Sequence, residues 1–228
     1  MRRRILTATL LTLPLSAARV RAEPAPVVLE LFTSQGCSSC PPADAFLGEL
    51  VRQPGIIGLA WHVDYWNNLG WTDRYARPAW TDRQRGYAER LSSEVFTPAL
   101  VVNGAAMLVG SDRTAVRRAI SEARPPMVVA ALRRTGSGLE AEIGVTSRKL
   151  SGMLVTYDPE QTTQVRAGEN QGSRLMEYRV VRDVISLNEL PPRLTLPAVP
   201  EDRGAVLLLQ DESWRVAGAA ELRPAQKS

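Results

Sequence analysis

The chain holds only two cysteines, and they stand in Thr33-Ser34-Gln35-Gly36-Cys37-Ser38-Ser39-Cys40-Pro41-Pro42 with C-x-x-C spacing. The preceding residues 27–32, Val-Val-Leu-Glu-Leu-Phe, are mostly β-branched or apolar and read as a buried strand. Pro41-Pro42 suits a first helical turn, where a missing N–H has no intrahelical partner to lose. A thiol between a strand end and a helix start feels the positive end of the helix dipole, which favours the reactive thiolate. The N–H groups of Ser39 and Cys40 are placed to stabilise it, since the two prolines cannot donate.

Three kinds of chemistry fit the pair. In a redox pair Cys37 is the nucleophile and Cys40 the resolving thiol, which attacks a mixed disulfide. As an inert staple the bridge closes so small a loop that it contributes only ~2 kcal/mol. As a metal site the two sulfurs join His62, the only histidine, giving a soft donor set suited to Cu(I) or Zn. His62 can alternatively serve as an acid/base for thiol exchange with Asp64 orienting it, or be a hydrogen-bonded histidine at a strand end.

These residues need a scaffold. Ala43, Phe46, Leu47, Leu50 and Val51 form an apolar stripe at helical spacing, predicting a helix over Pro41–Arg52 that Pro54-Gly55 ends. Asp44 falls in its first turn, where an acid is stabilising. Residues 56–61 form a second apolar strand running into His62-Val63-Asp64. Strand, helix and strand make a βαβ unit with parallel strands, so Cys37 and His62 share one sheet edge. Trp61, Trp66, Trp71 and Trp80, with Tyr65, Tyr75 and Tyr87, crowd the next stretch. They either line a groove or fill a core. Thr81-Asp82 is the expected cap of a second helix reaching Leu91.

Two apolar runs, 99–102 and 105–109, flank Asn103-Gly104 and predict a tight hairpin with a type I′ turn. Ser111 or Asp112 then caps a third helix. Residues 27–124 therefore read β-α-β-α-β-β-α. Pro125-Pro126 marks a change to short strands separated by turn residues, which predicts a β-rich, sandwich-like unit over 125–228. In its polar loop 168–172, Glu169 and Asn170 are expected to form a solvated turn, with a contact to the first unit or to a ligand as the other readings.

Residues 1–22 combine Met1-Arg2-Arg3-Arg4 with an uncharged apolar stretch, Ile5–Ala18, and a small-residue site before Glu23. This predicts a cleaved export signal and a periplasmic or secreted protein, with an uncleaved anchor as the other reading. The segment holds five arginines and no acid, leaving 23 basic against 24 acidic residues beyond it. The basic excess of the whole chain is thus confined to that segment. No basic patch with interleaved aromatics follows, so nucleic-acid binding is not expected, nor is a membrane span after cleavage.

The β-α-β-α-β-β-α order, the C-x-x-C after strand one and Thr97-Pro98 before the hairpin resemble the thioredoxin fold. That resemblance implies a cis-proline at Pro98 lying against the disulfide. More closely, LELFTSQGCSSCPPAD, WHVDYWNNLGWTDRYA, TPALVVNG and GENQG…EYRVVRDV resemble a bacterial exported family known as domain of unknown function 1223. The likeness spans nearly the whole chain beyond residue 22 and implies a thioredoxin-like domain over 23–124 with a β-rich extension. The chain departs from ordinary thioredoxins in its Ser38-Ser39 dipeptide and in lacking a tryptophan before Cys37. The expected function is thiol–disulfide exchange by Cys37 and Cys40, with Thr97-Pro98 positioning the substrate and His62 assisting. It needs no cofactor beyond the redox disulfide, and its partners are protein thiols or disulfides and a recycling protein. The alternative is a non-enzymatic copper- or partner-binding module using Cys37, Cys40 and His62.

Overall fold

A computed structural model describes residues 25–225; the expected export segment, residues 1–22, lies outside them. The order begins β1 (Val27–Thr33), α1 (Pro41–Leu50), β2 (Ile56–His62), α2 (Pro78–Arg90), β3 (Ala99–Val102), β4 (Ala106–Val109) and α3 (Arg113–Glu122). It continues with β5 (Ala130–Thr135), β6 (Gly138–Ile143), β7 (Ser151–Gln164), β8 (Arg174–Leu187), β9 (Arg193–Leu196), β10 (Gly204–Gln210) and β11 (Val216–Leu222). The fold is mixed α/β around one large sheet.

That sheet has eight strands in the order β11-β10-β7-β8-β2-β1-β3-β4. β1 and β2 are parallel, as the βαβ reading requires, and Thr33 is the register partner of His62. Both strands are covered on two faces, which is why they read as continuous apolar runs. On one face Leu29 and Leu31 pack with Phe46, Leu47 and Leu50 of α1 and Val116 of α3. On the other, Val28, Phe32, Leu59 and Trp61 pack with Trp80 and Tyr87 of α2 and with Tyr157, Val206 and Leu208. Alternation of side chains along a strand produces this division.

The composition break at Pro125 is not a break in the sheet. The sequence suggested a separate sandwich-like unit over 125–228. Instead β7, β8, β10 and β11 extend the first sheet, with β8 lying parallel beside β2 through Ala60 and Val180. Only β5, β6 and β9 form a second, three-stranded sheet. Its Leu139, Ala141 and Leu196 pack on Leu154, Leu207 and Leu209 of the large sheet, stacking sheet on sheet at that end. β7 and β8 are 14 residues long each and pair from Gly152–Leu187 to Gln164–Arg174.

α2 also differs from expectation. It starts at Pro78 in the first turn, after an extended Arg77, and Thr81 is not its cap. The Thr81 hydroxyl instead donates to Asp64 Oδ1 at 2.6 Å. The hairpin turn has positive φ at both Asn103 (47°) and Gly104 (64°), as a type I′ turn demands. A Cβ on Gly104 would lie 2.0 Å from the backbone oxygen of Trp214, where β11 is approached. Gly104→Ala therefore combines a positive-φ penalty with a backbone clash. The expected loss is ~2–3 kcal/mol in chemical denaturation; a midpoint equal to wild type would contradict it.

Candidate active site

Cys37 and Cys40 form a disulfide, with Cα atoms 5.4 Å apart, between the end of β1 and the start of α1. Cys40 is the residue that precedes α1, and its carbonyl accepts from the N–H groups of Ala43 (2.9 Å) and Asp44 (3.1 Å). The Ser39 hydroxyl lies 3.4 Å from Cys37 Sγ and donates to the Thr97 carbonyl at 3.5 Å. The Thr97-Pro98 peptide is cis. The loop before α1 and the strand entering β3 thus meet at the cysteine pair. Trp66 Nε1 donates to the Thr97 hydroxyl at 2.8 Å, bringing the tryptophan-rich segment to the same place.

Both cysteines have no exposed surface, whereas Ser38 and Ser39 are exposed. The loop joining β7 to β8 reaches across the first half of the chain to hold this turn. Asn170 is buried, and its Nδ2 donates to the carbonyls of Gln35 (3.0 Å) and Cys37 (2.9 Å). Glu169 Oε2 accepts from the Ser38 N–H at 3.2 Å. The loop is therefore not the solvated turn expected from sequence: Asn170 is buried against residues 35–38 because its amide satisfies two of their carbonyls.

Joined to the same turn through Gln35 is a buried group of four ionisable side chains: Asp44, His62, Asp73 and Glu177. The strand register puts His62 beside Thr33, whose hydroxyl donates to Asp44 Oδ2 at 3.1 Å. His62 Nδ1 pairs with Asp73 Oδ2 at 2.6 Å and lies 3.8 Å from Glu177 Oε1. Asp73 also accepts the N–H groups of Gln35 and Tyr75, each at 2.9 Å. Glu177 accepts from the Gln35 amide (2.9 Å) and from the Thr163 hydroxyl (2.7 Å). Burial alone would lower the His62 pKa, but Asp73, and then Glu177 and Asp44, outweigh it and raise it to about 9. Asp73 is held low: His62 and the donated N–H groups overcome its own desolvation. Burial raises Glu177, and it lifts Asp44 to about 7 against the opposing pull of His62.

The site residues expected from sequence are therefore only partly brought together. Cys37, Cys40, Thr97 and Pro98 converge. His62 shares the sheet edge, but its orienting carboxylate is Asp73, not Asp64, which is engaged with Thr81 and α2. Asp44 is more than a first-turn acid, since its side chain turns inward to Thr33. Among the described residues, no three His, Cys, Asp or Glu side chains are grouped as metal ligands while the cysteines are joined in a disulfide. Trp61 and Trp80 are core, while Trp66 and Trp71 hydrogen-bond to Thr97 and to Gln35. Gln35, Asp73, Thr163 and Glu177 gave no sequence signal, because each acts through partners far along the chain. A groove of about 640 Å³ lies at the other end of β3, lined in part by Val102, Ala119 and Val216 and by neither cysteine nor the histidine.

Comparison with known proteins bears on the whole chain. It is similar to a protein of Agrobacterium tumefaciens solved by X-ray crystallography, with 31% identity and a TM-score of 0.78 over 90% of this chain and 97% of that one. HBP35 of Porphyromonas gingivalis resembles it at a TM-score of 0.59 with 11% identity, over 91% of this chain and 79% of that one, a likeness of fold alone. Among curated proteins none matches. Residues 28–210 match the family described as protein of unknown function, DUF1223. The chain belongs to that family.

Proposed function

We propose that this protein is an exported thiol–disulfide oxidoreductase whose residues 27–124 form a thioredoxin-like unit. The observation that carries the reading is the Cys37–Cys40 disulfide at the start of α1 with the cis Thr97-Pro98 peptide linked to it through Ser39. The neighbouring strand order β2-β1-β3-β4, with β1 and β2 parallel and β3 antiparallel to β1, supports the fold assignment. The arginine-led apolar segment at residues 1–22 supports export, the compartment in which disulfides persist. No helix among the described residues is long and apolar enough to cross a membrane.

The chemistry starts from the disulfide. A substrate thiolate attacks Cys37 Sγ, the S–S bond breaks, and its electron pair departs on Cys40 Sγ, which takes up a proton. A second substrate thiolate attacks the mixed disulfide, forming the substrate disulfide and releasing Cys37. The pair has then gained two electrons and two protons, and a disulfide of a recycling protein takes them back. The reducing direction is the same sequence reversed. Thr97-Pro98 aligns the substrate chain, and the His62–Asp73 pair sets the field behind the sulfurs.

The test is exchange between the purified protein and a cysteine-pair peptide, followed in both directions. Acceleration over the uncatalysed rate is expected, and Cys37→Ser should return it to background. No acceleration in either direction, or a Cys37→Ser variant equal to wild type, refutes the proposal.

A further inference from the structure

The two sulfurs offer no surface to solvent, yet thiol exchange requires in-line approach to one of them. The exposed Ser38-Ser39 turn shows that this part of the molecule lies at the surface, so the cysteines are covered rather than deeply placed. The turn that carries them is held from the far half of the chain. Asn170 spans the carbonyls of Gln35 and Cys37 with one amide group, and Glu169 takes the Ser38 N–H. The loop is itself an organised unit. Val165 N–H bonds to Ser173 O, Gly172 N–H to Val165 O and Gln171 N–H to Gly168 O. It also rests on the tryptophan-rich segment, where a Cβ on Gly168 would meet Leu69 O and Trp71 Cβ at 3.2 Å. Trp66 in turn closes on Gly36 at 3.1 Å by the same measure and bonds to Thr97.

We propose that residues 165–173 are a latch over the cysteine pair, with Asn170 its catch, and that release of this latch gates access of thiols to Cys37. The inference rests on the oxidoreductase reading for its meaning, but the latch itself is measurable without turnover. The hairpin of β7 and β8 is long and well paired, so the loop can lift as a unit while the strands stay in register. Opening breaks the two Asn170 bonds, the Glu169 contact and the packing of Gly168 on Leu69 and Trp71, while residues 165–173 belong to none of the three hydrophobic cores. Each latch residue is a positioning group, since none contacts a sulfur.

The experiment measures single-turnover reduction of the Cys37–Cys40 disulfide in the full chain by dithiothreitol, with native structure monitored in parallel. Weakening both bonds raises the open fraction, so Asn170→Ala should accelerate reduction ~10-fold or more. Asn170→Asp, which turns a carboxylate toward two carbonyl oxygens, should accelerate it further. The control for general destabilisation is Asn103→Ala. Asn103 is also buried and makes two bonds to backbone, its Oδ1 accepting from Val28 N–H and its Nδ2 donating to Arg124 O, but at the other end of β3. Its reduction rate should match wild type.

Folded Asn170 variants that reduce at the wild-type rate overturn the latch. So does an Asn103→Ala rate raised as much as the Asn170→Ala rate, because the effect would then be global unfolding. Faster reduction without catalytic exchange leaves the latch standing and removes the oxidoreductase instead, which keeps the two failures apart.

Discussion

Arg83→Met is expected to destabilise the protein by ~3–5 kcal/mol, the usual cost of leaving one member of a buried ion pair alone. Arg83 lies on α2 and meets Glu30 of β1 through two bonds, Nε to Oε2 at 2.7 Å and Nη2 to Oε1 at 3.0 Å. Glu30 is almost wholly buried and Arg83 nearly so. The same guanidinium donates to Tyr87 Oη at 3.1 Å and Gln210 Oε1 at 2.9 Å, so it reaches β10 as well. It also stands over the rings of Trp61, Tyr87 and Trp214 at 5.0–5.5 Å. Burial alone would lower its pKa, but Glu30 holds it above the usual arginine range, so it stays a cation. Methionine keeps much of the volume and loses every donor.

The diagnostic comparison is a double-mutant cycle. With Arg83 gone, the buried Glu30 charge is the source of most of the penalty. Glu30→Gln in the Arg83→Met background should recover a large part of the loss and still accept from the Tyr87 hydroxyl. For a chain of this size the single variant should melt ~10 °C below wild type. If the two single losses simply add, the network is not coupled and the account fails. Gln210 of β10 accepts from the same guanidinium and donates to Tyr87, so the network also couples the two compositional halves.

That coupling explains what could and could not be read along the chain. The βαβ unit was legible because β1 and β2 are buried on both faces, so nearly every position had to be apolar. The Asn103-Gly104 turn was legible because its backbone demands φ > 0 twice. The cysteine pair was legible because its members are the only cysteines and stand between an apolar strand and a proline-led helix. The second half misled because short strands with polar interruptions look alike whether they build a sandwich or extend a sheet. The Ala60–Val180 contact that decides between these spans a separation no local period encodes. The polar end of β7 carries no apolar alternation to mark it as strand, yet Thr163 faces inward to Glu177. His62 was matched to Asp64 by proximity in sequence, whereas the segment between β2 and α2 folds back to bring Asp73 instead. Asn170 follows the same pattern, a buried polar residue whose two acceptors are more than 130 positions away.

Those convergent polar groups also give the second large prediction: stability should fall as pH rises from about 4 to about 9. Asp44 is lifted by burial from 3.8 to about 7, so between those values the folded state binds a proton that the unfolded chain has released. Its contribution is complete below pH 4 and lost as pH rises through 7, a change of up to ~4 kcal/mol. His62 adds a second step of the same sign. Its pKa is about 9 in the fold against 6.5 unfolded, so its contribution with Asp73 is complete below 6.5 and lost through 9. Asp73 acts oppositely, but its depressed pKa places its loss below pH 4, outside this window. Glu177, raised by burial, reinforces the Asp44 step. Asp44→Asn separates the terms, because its amide oxygen can still accept from Thr33 while titration is removed. Denaturation midpoints for the variant should decline much less between pH 4 and 7 than those of wild type. At pH 8 the variant should be the more stable protein, and the His62 step should remain in both. A wild-type midpoint that is flat or rises over pH 4–7 would show that Asp44 is not carrying a proton beneath the cysteine pair.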